Sequence, residues 1–448
     1  MPPHVQAGFA RRDVTPPAGT PLSGFVVRTS GALDAHDRLW ARAAAFADGA
    51  RRLVAVVLDV IAVDAALTAE VRAGVAARSG LDPTDLVLAA THTHGGPALL
   101  AEALLGPVAP GVREALAAGA IAAAVAALDD LDDAELAYAV GREAGVARNR
   151  RVPGGPIDPD VPVLLVRRGG VVAGVLTGYA CHAVTLGPDN LRFTRDFPGA
   201  MLDALEARWP GAVALFLTGC CGQVNTGHVA TASLTGEPSP RRTFAMARAH
   251  GERLAAAAIA AAHDARPLTA APLRAARRAV ALPLQAPASA PAADLAAWRA
   301  ELAHLEAADA AAARASTAHA ATARASAARR ADLETRIAWA ERIAPRPLAP
   351  VEVEAACWAL GELAIAWFPG EVFVEHGLEL KAADGGALIA VANALDAPGY
   401  VPHASAYPEG GYEVAEAFRY YGRPGPYAPA AGERLAATMH ALLQEVRA

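Results

Sequence analysis

Apolar residues in this chain come in unbroken runs rather than in alternation with polar ones: Leu53–Val63, Leu86–Ala90, Val161–Val166, Val171–Ala180, Ala212–Leu217, Leu363–Trp367 and Ala387–Ala392. Runs of this kind predict strands covered on both faces. Between several of them, Ala65–Ser79, Gly111–Leu128, Gly199–Arg208 and Thr243–Ala262 carry helical patterns. Strands alternating with helices predict an α/β layered architecture. Chemically capable residues sit within or just after the strands: Asp59, His92, His94, His182, the Thr218–Asn225 turn and Glu371. Strand ends are where α/β enzymes build their sites.

One segment breaks this rhythm. From Ala292 to Ile343 there is neither glycine nor proline, and the middle is nearly all Ala, Arg, Ser and Thr. Leu295, Trp298, Leu302 and Leu305 follow 3-4-3 spacing, and Leu333, Ile337 and Trp339 mark a second apolar stretch. A single straight helix of this length would reach roughly 78 Å. A helical hairpin with its turn near Ser316–Thr322 is therefore expected. Prolines at Pro283–Pro291 and Pro345–Pro350 delimit it as an insertion over 285–346 within one domain spanning 1–448. It reads as a lid, an oligomerisation arm or a tolerated elaboration.

Composition narrows the function classes. The 448 residues are 54% hydrophobic but only 5% aromatic, and much of the apolar content is alanine. The net charge of −6 leaves no basic footprint, so neither nucleic acid nor anionic lipid is expected as the main partner. Residues 1–20 show charges and prolines but no apolar core, so no signal peptide is read there. The longest uncharged alanine-rich run, Ala115–Leu128, is too short for a bilayer, which needs about 20 residues. Cys181, Cys220, Cys221 and Cys357 have neither zinc-knuckle spacing nor a disulfide pattern, and a cytoplasmic home is expected.

The most specific chemistry lies in Thr91-His92-Thr93-His94-Gly95-Gly96-Pro97. Strand alternation would send His92 and His94 to one side, and the two glycines leave room for a ligand. Paired imidazoles there suit metal binding or proton transfer, or a pair of histidines hydrogen-bonded in a polar loop. His182, after a buried run, reads as a ligand or as a satisfied core histidine. Glu371, after Pro369-Gly370, reads as a ligand or as a carboxylate favoured at a helix N-terminus.

Taken in order, further segments resemble the catalytic domain of the neutral/alkaline non-lysosomal ceramidase family. They are Ala7-Gly8, Asp13–Pro17, His36–Arg42, Thr91–Pro97, Asn149-Arg150, Ala180–His182, Gly187–Asn190, Asp196–Gly199, Thr218–Asn225, Pro369–Glu371 and Gly399–Val401. The resemblance covers residues 7 to about 410. It implies layered mixed β-sheets flanked by helices, without the immunoglobulin-like domain that long ceramidases carry at their C-terminus. It also implies one Zn²⁺ held by His92, His182, Glu371 and Tyr400, another divalent metal being an alternative. Tyr400 could instead hydrogen-bond an oxyanion, and Tyr407 and Tyr412 lie near it in sequence. His94 would pass a proton to a leaving amine or stabilise an oxyanion, and Arg150 would hold a polar substrate group or make a structural ion pair, with Gln223 and Asn225 near the substrate. Asp59 and Asp196 would either orient the histidines through hydrogen bonds or cap loops.

The pattern also has departures. Asn225 stands where ceramidases carry a serine, Gln223 where compact relatives often have Asp, and Arg151 where ceramidases have serine. A serine nucleophile is therefore not available, while water on the metal suffices for hydrolysis. The expected function is zinc-dependent cleavage of a linear amide in a small-molecule substrate. Its alternatives are ester hydrolysis or a specialised-metabolism step at the same site, and a metal-binding scaffold without turnover. The hairpin offers a route to a homo-oligomer.

Overall fold

The computed structural model describes residues 5–100, 107–233, 239–269, 271–314 and 320–448. The predicted runs form strands, but the strands belong to a pattern repeated along the chain. The first unit contains β1 (Gln6–Asp13), β2 (Trp40–Ala47), β3 (Arg52–Leu58), α1 (Ala65–Ser79), β4 (Leu86–Ala90) and α2 (Val112–Asp129). The second contains β5 (Glu135–Arg142), β6 (Asp160–Arg168), β7 (Val171–Tyr179), α3 (Asp196–Arg208), β8 (Val213–Thr218) and α4 (Phe244–His263). The third opens with β9 (Arg274–Leu282), then carries α5 (Pro291–Arg314) and α6 (Ala320–Arg342). It resumes with β10 (Val351–Leu360), β11 (Leu363–Trp367), α7 (Val374–Asp384), β12 (Ala387–Val391) and α8 (Pro429–Arg447).

In each unit three strands pair antiparallel, and a helical crossover returns the chain to add a fourth strand parallel to the third. The sheets are thus mixed, as the α/β reading expects. Helix boundaries fall close to expectation. Asp64 caps α1 by accepting from the Leu67 amide at 2.7 Å, and Gly80 ends it in the left-handed region at φ 64°. Helix α3 begins at Asp196, ahead of the expected Gly199, because Pro198 fits a first turn without losing a hydrogen bond.

The inner faces of the three sheets meet in one core that includes Phe9, Phe46, Leu164, Leu176, Trp358, Ile365 and Trp367. Each outer face packs on its own helix pair: the first sheet on α1 and α2, the second on α3 and α4, the third on α7 and α8. This explains the alanine content. Ala117, Ala120, Ala123, Ala124 and Ala127 bury the α2 face, and small side chains let helix and sheet approach closely. At the closest point a Cβ on Gly8 would lie 2.0 Å from the Ala127 carbonyl oxygen.

The parallel strands end side by side. The Ala90 amide donates to Asn393 O at 3.0 Å, the Ala392 amide to Thr218 O at 2.8 Å, and Thr218 Oγ1 to Ala90 O at 3.0 Å. Beyond these ends the segments that carry the candidate chemistry converge. Of the hairpin turn expected near Ser316–Thr322, positions 316–319 lie outside the described residues, and α6 already begins at Ala320. Among the described residues, no helix is long and apolar enough to cross a membrane.

Candidate metal centre

Short backbone bridges assemble the site. Thr93 pairs with Ala183, which sets the His92–His94 segment beside His182. Glu371 and Tyr400 are direct partners in a two-residue parallel pair. The His182 amide donates to Val224 O at 3.0 Å, and Val224 pairs with Asn149, which brings up Arg150.

His92 and His94 do meet, with ring centres 5.2 Å apart, but not by strand alternation. Strand β4 stops at Ala90, and His92 adopts a left-handed backbone at φ 61°. That conformation is uncommon for a residue with a side chain, and the surrounding structure has to hold it. It turns the ring inward toward His182, whose ring centre is 4.4 Å away.

Backbone carbonyls orient both rings. His92 Nδ1 lies 2.6 Å from Ile61 O, and His182 Nδ1 lies 2.9 Å from Cys221 O and 3.1 Å from Val224 O. Carbonyl oxygens only accept, so each Nδ1 carries the proton and each Nε2 presents a lone pair. Asp59 and Asp196, expected to orient the histidines or cap loops, bind backbone amides rather than the rings. Asp59 accepts from the Trp40 amide at 2.8 Å, and burial raises its carboxyl to about 6. Asp196 binds the Leu186 amide at 2.9 Å and that of Phe197 at 2.6 Å.

Both Nε2 atoms face Glu371 Oε2, at 3.4 Å from His92 and 2.8 Å from His182. All three residues are buried, their ligand atoms lie within 4.8 Å of one another, and His92 Nε2 has no hydrogen-bond partner. Burial, aided by His92 and Arg150, lowers His182 to about 4. Burial would raise Glu371; positive charge on its His92 and His182 side, a shared proton or an ion, is what holds it well below the ordinary carboxylate range. Three acceptors turned on one another in an apolar interior are unfavourable unless a cation lies between them. The donor set therefore fits a metal ion.

A second layer surrounds this group. Tyr421 donates its hydroxyl to Glu371 Oε1. The Tyr400 oxygen lies 3.3 Å from His182 Nε2 and accepts from Arg150 Nη2 at 3.0 Å. Burial and Glu371 push the Tyr400 phenol well above its usual range, against Arg150. Arg150 is held in turn by Glu413 at 2.7 Å and by Gly222 O at 3.0 Å. Burial opposes its charge, but Tyr400 and Glu413 outweigh that and raise its pKa. Arg151 also reaches Glu413, at 2.8 Å.

His94 stands at the cavity wall. Its Nδ1 lies 3.2 Å from Gly24 O, and its Nε2 has no partner. Gly24, at φ 97°, is where only glycine fits, since a Cβ would sit 2.4 Å from His94 Nδ1. Burial, then His92 and His182, keeps the His94 imidazole well below its usual pKa. The cavity is a slot of about 40 Å³ lined by Val26, Ile61, His94, Arg150, Val184 and four tyrosines, 400, 412, 420 and 421. Gln223 and Asn225 do not line it. Gln223 Nε2 binds Glu375 and its Oε1 accepts from the Val374 amide at 3.0 Å; Asn225 Oδ1 accepts from the Gly227 amide at 2.8 Å.

Residues missed from the sequence are Ile61, Glu413, Tyr420 and Tyr421. Ile61 acts through its carbonyl, which leaves no side-chain signal, and the others lie beyond the last resembling motif.

Residues 5–214 match the family described as neutral/alkaline non-lysosomal ceramidase, N-terminal. Neutral ceramidase from Pseudomonas aeruginosa is similar in structure, with a TM-score of 0.74 and 20% identity over 99% of this chain and 75% of that one. A ceramidase complexed with C2 is similar at 0.75 and 18% identity, covering 99% of this chain and 76% of its own. No curated protein sequence matches. The chain carries the ceramidase family's N-terminal signature over residues 5–214 and the neutral ceramidase fold over nearly its whole length.

Proposed function

We propose that this protein is a zinc-dependent hydrolase that cleaves a linear N-acyl amide. The observation that carries the proposal is the convergence of His92 Nε2, His182 Nε2 and Glu371 Oε2, three buried ligand atoms within 4.8 Å of one another. Glu371 Oε2 lies 2.8 Å from His182 Nε2 and 3.4 Å from His92 Nε2, so these three residues would hold a single ion. Zinc held by these residues supplies Lewis acidity and makes water a nucleophile near neutral pH.

The chain's own groups supply the rest. His94 Nε2, bare and unpartnered, takes a proton from the attacking water and returns it to the departing nitrogen. Tyr400, kept as a phenol by burial, donates to the carbonyl oxygen as charge develops there, while Arg150 fixes its position. The small aromatic-lined cavity excludes bulky groups, which favours a linear amide.

The likeness to ceramidases adds ceramide-like lipid amides to the candidate substrates. Metal-loaded protein should hydrolyse members of a graded N-acyl amine panel, and chelation should stop it. Undiminished turnover in metal-free protein would refute the proposal.

A further inference from the structure

The α5–α6 hairpin is joined to the wall of the slot. Helix α5 has no buried residue, whereas α6 buries Ala328, Ala331, Asp332, Leu333, Trp339 and Ala340. The buried side of α6 faces the segment that carries Tyr412, Tyr420 and Tyr421. Trp339, fully buried, packs 5.4 Å from the Phe418 ring and 6.4 Å from Trp298, and donates Nε1–H to Arg423 O at 2.8 Å.

Asp332, also buried, accepts the Tyr420 hydroxyl and is bound by Arg329 at 2.6 Å and Arg336 at 3.0 Å. Arg336 reaches the Tyr420 oxygen at 3.4 Å and Glu416 at 3.1 Å. Tyr420 lines the slot, and its neighbour Tyr421 holds the Glu371 carboxylate. Rings then follow inward, Tyr420 to Tyr412 at 6.1 Å and Tyr412 to Tyr400 at 5.9 Å. A surface elaboration needs neither a buried tryptophan nor a buried carboxylate spent on a cavity wall.

We propose that the hairpin is a specificity device: Asp332 and Trp339 are positioning residues that fix Tyr420 and so set how long an acyl chain the slot accepts. The proposal rests on the amidase reading of the site. A buried carboxylate bridging a phenol and two guanidinium groups has one satisfied arrangement, so the ring it holds is stiff. Removing the carboxylate frees the ring and widens the slot.

The test uses the full-length zinc-loaded protein, with a series of straight-chain hydroxamates from acetyl to dodecanoyl as binding probes and the matching amides as substrates. Asp332→Ala should keep its metal and bind the acetyl probe like the parent. It should bind the parent's preferred length about tenfold more weakly and gain for longer chains. With the amides the change should lie in KM more than kcat. Asp332→Asn, which still accepts from Tyr420, should restore most of the parent profile, and Trp339→Phe should fall between.

An unaltered length profile in folded, metal-loaded Asp332→Ala overturns the proposal, as does a parent protein whose binding is indifferent to chain length. A parent that binds the probes with length dependence but cleaves no amide sinks the amidase reading and leaves the length gauge standing.

Discussion

Among the described residues, two groups bring together two histidines and a glutamate, and one of them has the arrangement that could hold an ion. His92, His182 and Glu371 are buried, with ring centres 4.4 Å apart and lone pairs aimed at one point. His376 and His403 have ring centres 5.2 Å apart, and Glu379 lies 3.2 Å from His403 Nε2. Yet Glu379 is half exposed, and His403 Nδ1 is taken by Ser405 Oγ at 2.8 Å. His376 is buried against Gly432, and neither of its ring nitrogens has a hydrogen-bond partner. The residue types are the same. What differs is that backbone carbonyls set the protonated nitrogen of each ring in the first group, and the convergence of three sheets removes water from it.

The largest effect should separate the two groups outright. His92→Ala or His182→Ala should lose bound metal and fall below about one thousandth of parental turnover, while His376→Ala keeps both. Elemental analysis beside an amide assay checks this, and metal loss in His376→Ala would erase the distinction. Next in size is Arg150→Met, which strips support from the Tyr400 oxygen. We expect kcat to drop by about 10²–10³ with metal retained, and stability to fall by about 3 kcal/mol as Glu413 loses one of its buried partners. Steady-state kinetics and denaturant melts measure the two parts separately.

The second group should reveal itself through acid. Burial, then His403, lowers His376 from 6.5 to about 4, so the unfolded chain takes up a proton that the folded chain refuses. Its contribution is fully present above pH 6.5 and is lost as pH falls toward 4. It amounts to about 3 kcal/mol at most. His376→Leu should flatten that part of the stability profile; an unchanged slope would contradict the assignment. Smallest of all, Glu379→Gln should shift stability by no more than about 0.5 kcal/mol, because its ion pair is exposed.

The same contrast explains how much was legible in the sequence. Unbroken apolar runs gave β4, β11 and the outlines of β3, β6, β7, β8 and β12, because each is buried on both faces. Strands β9 and β10 were not expected, since arginines and glutamates alternate along their exposed faces. The threefold repetition leaves no trace as repeated motifs. Only packing constrains the units, and many apolar residues satisfy it. The candidate metal ligands stood out as His and Glu at strand ends, but alternation gave the wrong reason for His92, whose left-handed backbone no local signal announces. Carbonyl oxygens, which orient the rings, are carried by every residue alike. Tyr421 and Glu413 belong to a segment whose π- and 3₁₀-helical turns have no period to read.

The proposed activity requires an ion held by two imidazole nitrogens and a carboxylate. X-ray absorption at the zinc edge of purified, zinc-reconstituted protein tests it most directly. The expected spectrum shows one zinc per chain with nitrogen and oxygen neighbours at about 2.0–2.1 Å, two of them imidazole, and no sulfur. Zinc that fails to bind stoichiometrically, or that shows sulfur neighbours from Cys181 or Cys221 beside the site, would contradict it.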